Sequence, residues 1–153
     1  VSHQTGCYGE LTASENLVFF GRMGKTPSLK EKIDRSLERT GLSEFANLPV
    51  KTFSSGMGKR LNIARLMVLK PEILLLDEPY TGLDYDSTRF FNEYLDTFKE
   101  SGGAILMITH QIETCFDLCD KIAILERQEL KRCFSSTEYS RDELIREYHS
   151  LTR

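Results

Sequence analysis

Apolar residues recur at helical spacing over the first third of the chain, then give way to an alternation of amphipathic segments and short continuous apolar runs. Residues 11–52 read as helical: Leu29, Ile33 and Leu37 share a face, Ser28 and Glu31 form an S-x-x-E capping box, and Gly41 supplies a stop. From Ser55 to Leu69 a helix carries Leu61, Ala64 and Val68 on one side and ends before Pro71. The aliphatic run Ile73–Asp77, with a proline beyond each end, predicts a fully buried strand at the centre of a parallel sheet.

A helix from Ser87 to Lys99 follows, with Phe90, Phe91, Tyr94, Leu95 and Phe98 at helical spacing, and Gly102-Gly103 turns the chain into a strand over Ala104–Thr109. Another helix is expected over Gln111–Cys119, another strand over Lys121–Glu126, and an edge pairing over Leu130–Phe134. The tail Arg141–Leu151, capped by Ser140 and Glu143, aligns Leu144, Ile145, Tyr148 and Leu151. Strands separated by crossover helices predict an α/β fold, a mainly parallel sheet with helices on its faces.

Composition narrows the class. A chain of 153 residues that is 40% hydrophobic has enough apolar side chain for one core. Its 20 Lys and Arg against 23 Asp and Glu leave a net charge of -3, which argues against binding nucleic acid by phosphate neutralisation. The longest apolar runs, Leu17–Phe20 and Ile73–Leu76, fall far short of the roughly 20 residues a membrane-spanning helix needs. The four cysteines, Cys7, Cys115, Cys119 and Cys133, include no CxxC pair, and Cys115 and Cys119 extend the apolar stripe of Ile112 and Phe116. Reduced thiols packed in a core, and a cytosolic setting, are the expectation.

The residues with chemical potential lie at strand ends and at one helix start. Asp77 closes an apolar strand at its carboxyl edge, where open α/β sheets bind ligands, and Glu78 follows directly. A carboxylate there can hold Mg²⁺ through its water shell while the next polarises a water for in-line attack on a γ-phosphate. Ser54-Ser55-Gly56-Met57 heads a helix, where small residues offer backbone N–H groups and a positive dipole end to an anion. His110 also follows a strand. Alone, two solvated acids or a single histidine would be ordinary surface features.

Their order along the chain is what distinguishes them. The stretch FSSGMGKRLNIARLMVLKPEILLLDEPYTGLD, residues 53–84, resembles the catalytic end of an ATP-binding cassette (ABC) ATPase. The resemblance covers about residues 1–134 and implies a P-loop NTPase-like fold, here as a partial ABC ATPase domain whose helical subdomain spans about 11–52 and the start of the next helix, with 135–153 as a helical tail. ILLLDEP is similar to the Walker B strand, which implies Asp77 in the Mg²⁺ role and Glu78 as general base. Ser54 and Gly56 hold the trusted positions of a degenerate LSGGQ signature, in which Phe53, Ser55 and Met57 depart from the pattern. Thr81-Gly82-Leu83-Asp84 resembles the D-loop, whose Asp84 reaches across a dimer interface, and Thr109-His110 resembles the switch histidine that contacts the γ-phosphate.

At the start, HQTGCYGELTASENL resembles the Q-loop and the entry to the helical subdomain. Spacing favours His3 for the glutamine position, whereas chemistry favours Gln4, whose amide can ligate Mg²⁺ and touch a transmembrane partner. The family therefore implies ATP and Mg²⁺ as ligands, a transmembrane permease and a second ABC ATPase domain as partners, and a place on the inner face of the cell membrane. A soluble cassette ATPase of translation or DNA repair is the alternative, and a non-enzymatic, signature-bearing fragment is another. No G-x-x-x-x-G-K-[ST] stands anywhere in the chain: Gly21-Arg22-Met23-Gly24-Lys25-Thr26 has two residues between its glycines instead of four, and Arg60 follows Gly56-Met57-Gly58-Lys59 where a hydroxyl is needed. The expectation is that Val1 lies inside a longer domain whose P-loop precedes it.

Overall fold

In the computed structural model, residues 6–151 are described, with the side chains of residues 114 and 115 left aside. The chain divides into two compact units, Val1–Leu74 with Tyr80–Ile105, and Leu75–Pro79 with Leu106–Arg153. The first is built on helices α1 (Ala13–Met23), α2 (Leu29–Arg39), α3 (Ser55–Leu69) and α4 (Tyr85–Glu100), with short 3-10 turns at Ser43–Phe45 and Val50–Thr52. Leu17, Leu37, Leu42, Leu61 and Val68 form the centre of its core, each no more than 3% exposed. The predicted faces of α2 and α3 are thus the packed ones, and burying each such side chain contributes about 1.5–3 kcal/mol.

The capping box lies elsewhere than expected. Thr12 and Glu15 provide it at the head of α1, where the Thr12 hydroxyl accepts from the Glu15 amide at 3.1 Å and Glu15 Oε2 accepts from the Thr12 amide at 2.8 Å. Ser28 does precede α2, but with φ 51 it is left-handed and makes no capping hydrogen bond. Capping needs the extended backbone that aims a hydroxyl at the N3 amide, which Ser28 does not have. Beside the true box, fully buried Asn16 accepts from the Tyr8 amide at 2.7 Å and donates to the carbonyls of Tyr8, Leu11 and Thr12 at 2.9, 3.3 and 2.9 Å. One side chain therefore satisfies the turn that leads into α1.

Strands β1 (Ile73–Asp77) and β2 (Ala104–Ile108) pair. The Ala104 amide donates to Glu72 O at 3.0 Å and the Glu78 amide to Ile108 O at 2.8 Å, so the two run in the same direction. β1 is not buried on both faces as its composition predicts. Leu74 is 3% exposed but Ile73 is 63% and Leu75 74% exposed, so one face alone is packed. An unbroken aliphatic run reports the capacity to be buried twice, whereas burial itself depends on what lies on each face.

The second unit also contains β3 (Lys121–Glu126), paired antiparallel with β4 (Glu129–Ser135) through a register shift between Ile124 and Leu125. The expected edge pairing over Leu130–Phe134 is part of it. Helix α6 (Arg141–Leu151) buries Leu144 completely against Ile124 and Phe134. Its start is capped as predicted, Ser140 donating through its amide to Glu143 Oε2 at 2.8 Å. The expected helix over Gln111–Cys119 is shorter: one α turn, α5 (Ile112–Cys115), passes into a 3-10 turn at Phe116–Leu118. The Cys119 amide donates to Phe116 O at 3.3 Å, the i to i+3 tightening that ends a helix. Nor are all the thiols in a core, since Cys133 is exposed.

Replacing Asn16 by Leu should destabilise the first unit by about 2 kcal/mol or more, because the buried backbone groups it serves lose their partners. Urea unfolding of the wild-type and Asn16→Leu chains measures this, and an unchanged midpoint would contradict the account.

Candidate active site

The end of β1 and the end of β2 meet in the second unit around Glu78. Its φ of 45° is left-handed, an unfavoured backbone for a residue with a side chain. Three groups from residues 109 and 110 hold the carboxylate there. Oε1 accepts from the His110 amide at 3.0 Å and contacts His110 Nδ1 at 2.8 Å, while Oε2 accepts from the Thr109 hydroxyl at 3.2 Å. Thr109 Oγ1 in turn accepts from the Gln111 amide at 3.0 Å, which fixes the hydroxyl.

The hydrogen bond with the His110 ring is the main reason the Glu78 carboxyl is held below the usual glutamate range. Partial burial opposes this, and the His110 amide, its charge and the Thr109 hydroxyl add to it. The side chain stays 34% exposed and that of His110 68% exposed, so both are open to a ligand. An ionised carboxylate anchored on one side can accept a proton from a water on the other. With Nδ1 engaged, Nε2 is the ring nitrogen available to a ligand.

Asp77 is exposed at the end of β1, and among the described residues its carboxylate has no hydrogen bond or ion pair. No group of three or more His, Cys, Asp and Glu side chains converges among the described residues. A single exposed carboxylate such as that of Asp77 is a hard oxygen donor, the chemistry that Mg²⁺ takes from one or two protein carboxylates beside water and phosphate oxygens. Gln4, expected to join it, and its alternative His3 lie outside the described residues.

Ser54, Gly56 and Asp84 come together in the first unit. Ser54 caps α3, its hydroxyl accepting from the Met57 amide at 3.2 Å. Asp84 caps α4, Oδ1 accepting from the Ser87 amide at 2.8 Å, and for that reason α4 begins at Tyr85 rather than at the expected Ser87. A Cβ placed on Gly56 would stand 4.0 Å from both Asp84 Oδ2 and Ser54 Oγ. Packing against these neighbours therefore does not require a glycine at 56. Three residues absent from the sequence-based site belong to this description: the Thr109 hydroxyl on Glu78, and Lys59 and Arg60 beside the turn that ends at Asp84. Linear sequence held no signal for them, because each acts on a segment distant along the chain.

Comparison with known proteins bears on the family and the fold. The fold is that of an ABC ATPase domain in part, and residues 1–81 match the family described as ABC transporter. The chain belongs to that family. It is similar to the ABC transporter ATP-binding protein NatA of Bacillus subtilis (strain 168), 36% identical over 129 residues, 83% of this chain and 52% of that protein. The linearmycin resistance ATP-binding protein LnrL of the same organism is 37% identical over 132 residues, 85% of this chain and 42% of that protein. Among solved structures, CbiO1 of Clostridium perfringens, part of the ABC transporter complex CbiONQ, superposes with a TM-score of 0.73 at 26% identity over 97% of this chain and 60% of that one. The chain thus spans about half or less of the curated relatives described. No helix among the described residues is long and apolar enough to cross a membrane.

The Glu78 carboxyl should titrate below an ordinary glutamate, and His110→Ala should move its midpoint upward. Since the folded value is the depressed one, the stability this contact adds is complete above the ordinary range near about pH 4.3 and is lost as pH falls through the folded value. Carboxyl NMR on both chains reads it; an identical midpoint in the variant would remove His110 as the cause.

Proposed function

We propose that this chain is part of the ATP-binding and ATP-hydrolysing subunit of an ABC transporter, which couples nucleotide-driven dimerisation to transport through a membrane permease. The observation that carries the reading is Glu78, kept in a left-handed backbone with its carboxylate anchored by Thr109 and His110 at the carboxyl ends of two parallel strands. In this reading Glu78 is the general base that takes the proton of the attacking water. His110 orients that water and contacts the γ-phosphate through Nε2. Asp77, with Gln4, would hold Mg²⁺, whose chemistry here is to neutralise charge that develops on the phosphates.

Ser54 and Gly56 would act on nucleotide held by a second ABC ATPase domain, through backbone N–H groups at the head of α3. Asp84 would face the same interface. Residues 1–134 are the catalytic-domain portion of this reading and 135–153 a tail. NatA and LnrL are named as ATP-binding proteins of transport and resistance systems, and CbiO1 as part of a transporter complex, which supports a permease as partner and the inner face of a cell membrane as the place of work. Nothing in the charge distribution favours nucleic acid.

The 153 residues contain no P-loop motif, so the chain by itself should bind ATP weakly and turn it over at background rate. Equilibrium dialysis and a phosphate-release assay test this; a robust Mg²⁺-dependent rate abolished by Glu78→Gln would contradict it. In a chimera that joins the preceding segment of NatA to Val1, Glu78→Gln should preserve ATP binding and nearly abolish turnover. A rate within about tenfold of the unsubstituted chimera, a barrier change of only ~1.4 kcal/mol, would end the general-base assignment.

A further inference from the structure

The first turns of α3 do more than present Ser54 and Gly56. On the next turn, Lys59 and Arg60 both reach the segment that leads into α4. Arg60 Nε donates to Ser87 Oγ at 3.3 Å, and Ser87 is 1% exposed. The Ser87 amide is the group that Asp84 caps, so Arg60 and Asp84 both hold the same residue. The Ser87 contacts chiefly, and the Arg60 charge in addition, keep the Asp84 carboxyl below the usual aspartate range.

Lys59 meets the same segment five residues earlier along it, at Gly82. Its Nζ lies 2.9 Å from where a Cβ on Gly82 would stand, and Gly82 has φ 69°. The positive φ is what favours glycine here, and the Lys59 ammonium group rests against the turn at that point. Lys59 is partly buried there, and burial lowers its pKa. The turn itself is closed by the Leu83 amide donating to Tyr80 O at 3.0 Å, and Tyr80 is anchored by its hydroxyl, which donates to Asn92 Oδ1 at 2.8 Å.

We propose that Lys59 and Arg60 are positioning residues that fasten the 81–84 turn onto α3, so that this turn and the Ser54–Gly56 loop move as a single body. A displacement felt at one of the two loops then reaches the other through side chains one turn further along the same helix, without any change in the helix backbone. The coupling stands on the contacts alone. Its use in catalysis rests on the ATPase reading, in which one loop faces nucleotide and the other the second subunit.

Hydrogen exchange on the full 153-residue chain tests the coupling without nucleotide. Arg60→Met and Lys59→Met should each speed exchange at the Leu83 and Ser87 amides by about tenfold relative to amides of α1 and α2, the scale expected for losing one such contact. Arg60→Lys, which restores charge near Asp84, should recover much of the protection, and the Asp84 carboxyl midpoint should rise in Arg60→Met and return in Arg60→Lys. Unchanged exchange at Leu83 and Ser87 overturns the proposal, and so does equal acceleration throughout the first unit, which would mean plain loss of stability. In the NatA chimera the Met variants should lower kcat with KM for ATP unchanged, and an unaltered kcat overturns the catalytic use. An unsubstituted chimera that failed to hydrolyse ATP would count against the ATPase reading and leave the exchange result as it stands.

Discussion

Everything at the candidate catalytic centre depends on two parallel strands ending side by side. The Glu78 amide, donating to Ile108 O, carries the pairing one residue beyond β1, and at that point the backbone turns left-handed. An extended residue would have carried the side chain onward in the strand's alternation. The left-handed turn instead returns the Glu78 carboxylate to the residues that follow β2, where Thr109 and His110 receive it. The conformational cost, of order 1–3 kcal/mol for a strained residue, is offset by hydrogen bonds to the charged form.

The first unit solves a different problem with the same economy. Polar side chains satisfy the backbone at the starts of three of its helices: Asn16 at the turn into α1, Thr12 and Glu15 at its cap, Ser54 at the start of α3 and Asp84 at the start of α4. These are the orphan N–H groups of helix starts, and leaving them unpaired in a packed helical layer would be expensive. Two of the five, Ser54 and Asp84, are also residues that the ATPase reading gives to nucleotide and interface. Structural capping and the proposed chemistry therefore share atoms.

Much of this was legible in the chain. Helical faces such as Leu61, Ala64 and Val68 are packed as their spacing predicts, and Asp77, Glu78 and His110 do lie at strand ends. Periodicity identifies faces well because burial of apolar area is additive along a helix. Three things escaped it. The Ser28 box failed because a motif of residue types does not fix the backbone angle on which capping depends. Burial of β1 on both faces failed because aliphatic content cannot say which neighbours are present. The contacts of Arg60 and Lys59 with the 81–87 segment were invisible because they join residues more than 20 positions apart.

The bare face of the sheet has a consequence for handling the protein. In the second unit Leu75, Leu106 and Ile108 are 74, 62 and 62% exposed on neighbouring strands, a contiguous apolar surface that water hydrates at a cost. Chains with that surface uncovered are drawn to one another, to plastic and to detergent micelles. Colloidal behaviour in concentrated solution will then be governed by this short pair of strands, and only weakly by a net charge of -3. High salt, which strengthens apolar association while screening that modest charge, will favour precipitation.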